Sequence, residues 1–233
     1  MRLEGHPIKG AIWYQGEADA MFAGGYVYRF YLEELIKSYR KHFNNENLPF
    51  LVVEIPYFGI HNIWSDLRDS QKHVADKMEQ VYLVSIPDLG DEKDIHPPRK
   101  EELGIRLMKA AERFVYGKKI DATGPVYESM QIDGNRIILR FKAESLGGGL
   151  CASDGKPLRG FTIAEKPDRF FPAQAVIEGD TVIVSSPQVK APVAVRYGWI
   201  PPEEGVNFFN KAGLPCGVFR TDQFRLPTTP GDM

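Results

Sequence analysis

The chain has 233 residues, of which 43% are hydrophobic and 26% are charged, and its formal net charge is −2. This composition is typical of a globular protein and excludes a disordered or fibrous chain. The near-neutral charge, the dispersed lysines and arginines and the lack of an apolar run of about 20 residues argue against nucleic-acid binding and membrane spanning.

The first half of the chain alternates strand-like apolar runs with segments of helical periodicity. Strands are predicted at about residues 8–14, 50–55 and 81–86, and helices at about 28–43, 62–77 and 98–114. Such alternation predicts an α/β fold with a mostly parallel sheet and helices on both faces. Sheets of this kind hold their chemistry just beyond the carboxyl ends of the strands. Two polar stretches, residues 15–19 and 88–96, are predicted to lie there.

The second half of the chain changes character after Gly117 and consists of short strand-like runs separated by turns. The sequence "EGD" at 178–180 predicts a hairpin turn between two of these runs. We therefore expect a boundary near residues 118–125. Residues 1–120 would form the α/β part, 121–226 a small antiparallel β-domain and 227–233 a flexible tail.

The two cysteines, Cys151 and Cys216, belong to no CxxC pair, which argues against a structural zinc site. A disulfide between them and two free thiols both remain open, and free thiols are favoured.

Only one of the five histidines has acidic neighbours at a useful spacing. His96 follows Asp91 and Asp94 in a loop at the predicted active edge and precedes two prolines. A carboxylate beside an imidazole fixes its tautomer and stabilises its charged form, as a general base requires. A loop or capping role is the alternative. The other histidines are expected to be solvated or in loops without a functional neighbour; these are His6, His42, His61 and His73.

The segment "QGE" at residues 15–17 places an amide, a glycine and a carboxylate at the end of the first strand. The Gln15 side chain and an exposed N–H of Gly16 could stabilise an oxyanion. The alternative is a turn in which Gln15 and Glu17 bond the local backbone. Glu17 and Asp19 could also act as an acid–base pair or bind a metal, but two acids on one short loop are only a weak indication of either role.

No serine of the sequence fits the position of a catalytic nucleophile. None lies in a Gly-x-Ser-x-Gly elbow, and Ser85 lies inside a predicted strand. Cys151 lies in the wrong half of the chain. A base and an oxyanion donor are therefore present without a group for them to activate.

Four segments occur in an order that resembles the sialate O-acetylesterase family of the SGNH-type hydrolases. They are "PIKGAIWYQGEADA", "WSDLRDSQ", "DLGDEKDIHPPRKEELGIRL" and "VRYGW…NFFNKAGLPCGVFRTD". The resemblance runs from about residue 7 to about residue 222. It implies a partial SGNH or flavodoxin-like parallel sheet with flanking helices, followed by the antiparallel β-domain.

The resemblance also implies roles for individual residues. Gln15 resembles the oxyanion-site residue, Glu17 a supporting site residue and His96 the catalytic base. The family pattern puts the acid three residues before the histidine, where this chain has Lys93. Asp94 is therefore taken as the acid partner, with Asp91 as the alternative.

The implied substrate is an O-acetylated sugar or glycan, with O-acetyl sialic acid as first choice and acetylated xylan as second. The implied chemistry is serine-type acyl transfer without a metal or organic cofactor. Trp64 is a candidate to stack on the sugar, although most aromatic residues in such patterns are core residues.

In this family the nucleophilic serine lies upstream of the Gln-Gly-Glu segment, in a Gly-x-Ser-Asn-like block that this sequence lacks. We therefore expect a C-terminal portion of the esterase that is inactive alone and requires a missing N-terminal segment. The alternatives are a non-catalytic carbohydrate-binding remnant and half of a split acetylxylan-type esterase. The compartment stays open: relatives are often secreted, periplasmic or lysosomal, and the first ten residues are too polar for a secretory signal.

Overall fold

The structure is a computed structural model that describes residues 7–22, 24–59, 62–167, 169–199 and 205–231, and only the backbone of Asn62. His6 and His61, which the sequence places in loops, lie outside the described residues. So do the last two residues of the expected tail.

Three short parallel strands form the sheet of the first half. They are β1 (Ala11–Trp13), β2 (Phe50–Val53) and β3 (Val81–Val84), in the order β1-β2-β3. All four residues of β2 are buried, as expected for a central strand that is covered on both faces. Each strand is shorter than the sequence predicts, and the residues just beyond β1 and β2 fold into the functional edge described below.

Four helices surround this sheet: α1 (Glu17–Met21), α2 (Tyr28–His42), α3 (Asn62–Lys77) and α4 (Lys100–Ala110). Alternate residues of a strand point to opposite faces. Accordingly, Phe50 and Val52 pack with α2 and α3, whereas Leu51 and Val53 pack with α4. The predicted α/β sheet with helices on both faces is confirmed.

The helix α4 begins at Lys100, two residues after the predicted start at about residue 98. The N–H of Lys100 donates to the carbonyl of Pro98 at 2.7 Å, so Pro98 precedes the helix. At its other end α4 continues as a single π-helical turn, Ala111–Val115.

The second half consists of antiparallel strands, as predicted. Two four-stranded sheets have the orders β4-β5-β10-β9 and β13-β11-β7-β8, and a two-stranded ribbon pairs β12 with β6. The strands are β4 (Tyr127–Asp133), β5 (Arg136–Phe141), β6 (Leu150–Ala152), β7 (Phe161–Lys166), β8 (Arg169–Pro172), β9 (Gln174–Glu178), β10 (Thr181–Ser185), β11 (Ala194–Tyr197), β12 (Phe208–Asn210) and β13 (Phe219–Arg220). The predicted hairpin at 178–180 is confirmed, because Thr181 pairs with Glu178.

Both cysteines are free thiols, and Cys216 is buried in the core between these sheets. Cys151 and Cys216 therefore do not form the disulfide that the sequence left open.

The polar residues of α3 join the two halves of the chain. The carboxylate of Asp66 accepts the N–H and the hydroxyl of Thr228, and Arg68 donates to the carbonyls of Gly198 and Trp199. The Ser65 hydroxyl donates to the same Trp199 carbonyl. The division at about residue 120 and the flexible tail from 227 stay predictions, although Thr228 is held by these contacts.

A partly buried carboxylate, Asp69, completes this junction. Asp69 lies 3.1 Å from Arg29 of α2 and 3.1 Å from Arg220 of β13. One carboxylate thus neutralises two cations that come from opposite halves of the chain. Because all three side chains are at most 14% exposed, water screens these pairs only weakly.

We predict that Asp69→Ala lowers the free energy of unfolding by about 3 kcal/mol, at the lower end for a broken buried pair, because each arginine keeps a second partner. The matched control is Asp76→Ala, which removes the partner of Lys72 on the solvent side of the same helix. That change should cost less than about 0.5 kcal/mol. Urea unfolding measures both values, and equal costs for the two variants would contradict the role given to Asp69.

Candidate active site

The carboxyl ends of the three parallel strands lie at one edge of the sheet, and polar residues follow each of them. Gln15 lies two residues beyond β1, Glu54 directly follows β2 and Ser85 directly follows β3. The sequence-predicted polar stretches at 15–19 and 88–96 both belong to this edge, as expected for a parallel sheet.

Gln15 is the centre of a hydrogen-bond network at this edge. Its Nε2 donates to Asp19 Oδ2 at 2.7 Å, and its Oε1 and backbone carbonyl lie 3.0 and 2.9 Å from the hydroxyl of Tyr28. Gln71 Nε2 also donates to the Gln15 carbonyl, at 3.2 Å. An amide nitrogen carries two hydrogens, and Asp19 takes one. The second has no acceptor among the described residues and can donate to another group.

Tyr28 serves this network as a neutral phenol. Burial raises the pKa of Tyr28 to about 12, so the hydroxyl keeps its proton near neutral pH. The indole N–H of Trp13 donates to the same oxygen at 3.2 Å. The Gln15 amide is therefore held by a group that stays uncharged near neutral pH.

Gly16 is required by backbone conformation and by space. Its φ is 148°, and a Cβ at this position would lie 2.7 Å from Leu67 Cδ2 and 3.2 Å from Ile55 Cγ2. Its carbonyl accepts the N–H of Ala20 and so begins α1. The expectation that Gly16 exposes its N–H is wrong, because the residue is buried where the chain turns into this helix.

The loop of residues 88–96 is laid against the extension of β2. The N–H of Asp91 donates to the carbonyl of Tyr57 at 3.1 Å, and Arg106 holds Asp88 with two bonds of 2.7 Å. Gly90 passes so close to Tyr57 that a Cβ would lie 2.2 Å from the Tyr57 carbonyl oxygen. These contacts fix the start of the loop that carries the candidate base.

Asp91 organises the loop through its own side chain. Its Oδ1 accepts the backbone N–H groups of Lys93 and Asp94, at 2.7 and 3.0 Å. The same two bonds hold the pKa of Asp91 below its usual value. Asp91 is thus a turn-forming residue here, and it accepts no hydrogen bond from an imidazole of the described residues.

His96 and Asp94 are neighbours without a side-chain hydrogen bond. The distance from His96 Nδ1 to Asp94 Oδ1 is 4.0 Å, and the same Oδ1 accepts the backbone N–H of His96 at 2.7 Å. The His96 side chain is 88% exposed. Formation of the expected acid–base pair therefore requires a rotation of the Asp94 side chain, and the catalytic roles of Asp94 and His96 stay predictions.

Tyr14 and Lys100, which lie just outside the two polar stretches, are in contact. Lys100 Nζ lies 3.5 Å from the Tyr14 hydroxyl and 5.0 Å from the centre of its ring. Tyr14 directly precedes Gln15, and Lys100 follows His96 by four residues. This contact brings the segment of the candidate oxyanion donor next to the segment of the candidate base.

The other two predicted site residues differ in their surroundings. Glu17 is the first residue of α1, at the same edge, and lies close enough to Tyr14 to help burial raise its pKa to about 12. Trp64 is only 2% exposed, and its indole N–H donates to the carbonyl of Pro56 at 2.7 Å. The assignment of Trp64 as a sugar-stacking residue is wrong, because a buried ring in contact with Phe58 offers no face to a substrate.

Three buried residues behind this edge were missed by the sequence reasoning: Glu54, Arg68 and Gln71. Gln71 accepts the N–H of Ile55 at 2.9 Å and donates to the carbonyls of Val53 and Gln15, so it ties the ends of β1 and β2 together. A usable signal was present, because Ser65, Arg68 and Gln71 recur every three residues on a helix with an apolar inner face.

Glu54 is a fully buried carboxyl group between the sheet edge and the antiparallel half. Its Oε1 accepts the N–H of Val218 at 3.0 Å, and Oε2 has no hydrogen-bond partner among the described residues. Burial raises the pKa of Glu54, while the nearby cation of Arg68 opposes that shift. Burial also lowers the pKa of Arg68 to about 10.

Within the described ranges, no group of three or more histidine, cysteine or acidic side chains is arranged to hold a metal ion. In the same part of the chain, no helix has the length and apolar character needed to cross a membrane.

Comparison with known proteins shows a similarity to carbohydrate esterases. Residues 1–113 match the family model described as carbohydrate esterase, sialic acid-specific acetylesterase. The chain is 23% identical over 220 residues to sialate O-acetylesterase of Mus musculus, covering 84% of this chain and 40% of the mouse protein. The chain is thus similar to carbohydrate acetylesterases.

A solved structure extends this similarity to the fold. The crystal structure of a novel carbohydrate acetylesterase from Xanthomonas citri matches with a TM-score of 0.88 and 38% identity, over 95% of this chain and 52% of that one. The chain therefore spans about half the length of these relatives. The predicted resemblance to the sialate O-acetylesterases is confirmed, and with it the α/β fold class of an esterase.

The close approach of Gly90 to Tyr57 predicts the behaviour of two glycine variants of this chain. Gly90→Ala should lower stability and displace the His96 loop, because the new Cβ would overlap the Tyr57 backbone. Gly104→Ala is the matched control, since an added Cβ within α4 meets nothing within 4 Å. The control should raise stability by about 0.5–1 kcal/mol through helix propensity. Urea unfolding and hydrogen exchange of residues 88–96 measure both effects, and a neutral Gly90→Ala would refute the contact.

The buried Glu54 predicts a pH dependence of stability. Since its folded-state pKa is raised, its contribution is fully present below the ordinary carboxyl pKa of about 4.3 and is lost as pH rises through the folded-state pKa. Between these two pKa values, the free energy of unfolding of Glu54→Gln should rise relative to that of the parent chain by up to about 1.4 kcal/mol per pH unit. Glu178→Gln, at an exposed hairpin position, is the control. A Glu54→Gln difference that stays constant with pH in urea unfolding would contradict the assignment.

Proposed function

We propose that this chain is the part of a carbohydrate O-acetylesterase that supplies the base and the oxyanion donor. The observation that carries the proposal is the meeting of the Gln15 and His96 segments at the carboxyl edge of the parallel sheet, through Tyr14 and Lys100. The family match supports acetyl esters of sugars as the substrate class. O-acetyl sialic acid remains the first candidate and acetylated xylan the second.

In the proposed reaction a serine hydroxyl attacks the acetyl carbonyl while His96 accepts its proton. The free N–H of the Gln15 amide donates to the oxyanion that forms, and Tyr28 and Asp19 hold the amide in place. The sugar alcohol leaves with the proton from His96, and water then hydrolyses the acetyl-serine by the same steps. Asp94 orients His96 after its side chain rotates, and Glu17 supports the Gln15 turn.

The serine of this proposal lies on a segment outside the 233 residues. Two features support this assignment. No serine of the sequence lies in a nucleophile elbow, and the chain spans about half the length of its relatives. The exposure of the His96 side chain also supports this assignment, because the serine-bearing segment would lie on the surface where His96 is exposed.

An activity assay with p-nitrophenyl acetate tests the proposal. We expect no turnover by the chain alone and turnover after addition of a serine-bearing N-terminal segment from a family member. His96→Ala should reduce that restored rate by about 10³-fold or more, as loss of a triad base does. His73→Ala, on the exposed side of α3, is the control and should leave the rate unchanged.

Other outcomes of this assay distinguish the alternatives. Turnover by the chain alone that disappears in His96→Ala would show that the nucleophile lies within these residues. No turnover with any added segment, together with sugar binding, would favour a non-catalytic carbohydrate-binding protein.

A further inference from the structure

Thr228, in the segment that the sequence predicts to be a flexible tail, contacts the turn that leads into helix α2. Its hydroxyl oxygen accepts the N–H of Tyr26 at 2.9 Å and donates to Asp66 Oδ2 at 2.7 Å. The N–H of Thr228 donates to the same Oδ2 at 2.9 Å. Tyr26 also packs against a buried cluster that contains Trp199 and Leu226. The end of the chain is therefore bonded both to α3 and to the turn before α2.

This turn depends on distant partners because α2 has no side-chain cap of its own. Val27 occupies the cap position, where serine, threonine, aspartate or asparagine would offer an oxygen. Thr228 instead supplies a hydroxyl to the residue just before that position, across 202 residues of sequence. On the other side of the turn, Ser70 of α3 donates to the carbonyl of Gly25 at 2.6 Å. The start of α2 is thus held from two sides by side chains of other elements.

The same turn determines where Tyr28 lies, and Tyr28 holds Gln15. Tyr28 is the first residue of α2, and its N–H donates to the carbonyl of Gly24 at 3.0 Å. Its hydroxyl lies 3.0 Å from Gln15 Oε1 and 2.9 Å from the Gln15 carbonyl oxygen. Only two residues separate the backbone N–H that Thr228 binds from the residue that holds the amide. A displacement of the turn would therefore also move the Tyr28 hydroxyl.

We propose that Thr228 is a positioning residue for the candidate oxyanion donor. Through Tyr26 and the first turn of α2 it sets the place of the Tyr28 hydroxyl, and so the orientation of the Gln15 amide. This inference rests on the proposed function, in which that amide donates to the oxyanion. Such a donor stabilises the transition state only if it is already in place when the charge develops. The last residues of the chain thus contribute to the reaction without touching the substrate.

The side-chain amide signals of Gln15 in the 15N-labelled 233-residue chain test this inference without any need for turnover. Gln15→Glu assigns them, because they disappear in that variant. Thr228→Val keeps the size of the side chain and the backbone bond to Asp66 but removes the hydroxyl. The Gln15 signals should shift towards those of an unbonded glutamine amide, and Thr228→Ser should restore the parent signals.

The reconstituted assay gives a second readout of the same variants. Thr228→Val should lower kcat about tenfold with little change in KM, because a displaced oxyanion donor weakens binding of the transition state more than binding of the substrate. Thr228→Ser should recover most of kcat. A purely structural role of the hydroxyl would lower the stability of the variant without changing kcat of the folded protein.

Thr181→Val is the matched control, because it removes a hydroxyl that donates to the Glu178 carbonyl at 2.8 Å in an exposed hairpin. It should leave the Gln15 signals and kcat unchanged, and near-ultraviolet circular dichroism verifies that each variant is folded. Unshifted Gln15 signals in Thr228→Val, an equal shift in Thr181→Val or no recovery in Thr228→Ser would each overturn the inference. Absence of turnover in the reconstituted parent would contradict only the proposed function, and the NMR result would still decide the role of Thr228.

Discussion

Gln71 is the side chain on which the geometry of the candidate site depends. It is fully buried, and its three hydrogen bonds join the carbonyl of Gln15, the carbonyl of Val53 and the N–H of Ile55. A buried amide must find partners for its oxygen and both of its hydrogens, and these three groups provide them. The two strand ends are therefore held at a set spacing from α3. The position of the Gln15 turn therefore depends on Gln71, and so does the position of the proposed oxyanion donor.

The same helix explains why the antiparallel half lies where it does. Ser65 and Arg68 hold the carbonyl of Trp199, Asp66 holds Thr228, and Asp69 shares its charge between two arginines. Isolated buried charges would be costly, but here most are paired or hydrogen-bonded across the junction. The segment "WSDLRDSQ" is thus mainly a structural joint whose last residue reaches the functional edge.

The two parts of the candidate site differ in how firmly their side chains are held. Gln15 is held by Tyr28, Asp19 and Gln71, whereas His96 is exposed and lacks a side-chain hydrogen bond to Asp94. Catalysis by a triad requires the base to be oriented by an acid and placed against a nucleophile. The chain spans about half the length of the acetylesterases that it matches.

The sequence by itself determined the elements and their order. Apolar periodicity predicted the three parallel strands, the long helices and the antiparallel second half, because burial of one face repeats with the geometry of each element. The order of motifs indicated the resemblance to the sialate O-acetylesterases, which the comparisons confirm. Polar residues beyond the strands indicated the functional edge, because parallel strands all end there.

Only the tertiary structure decided what individual side chains do. It buried Trp64 and Gly16, directed Asp94 to a backbone N–H and brought Lys100 to Tyr14 across a separation that no local pattern records. It also revealed Glu54, Arg68 and Gln71, whose roles come from partners far away in sequence. Local spacing specifies which face a residue shares with its neighbours, whereas its hydrogen-bond partners are chosen by the packing of distant segments.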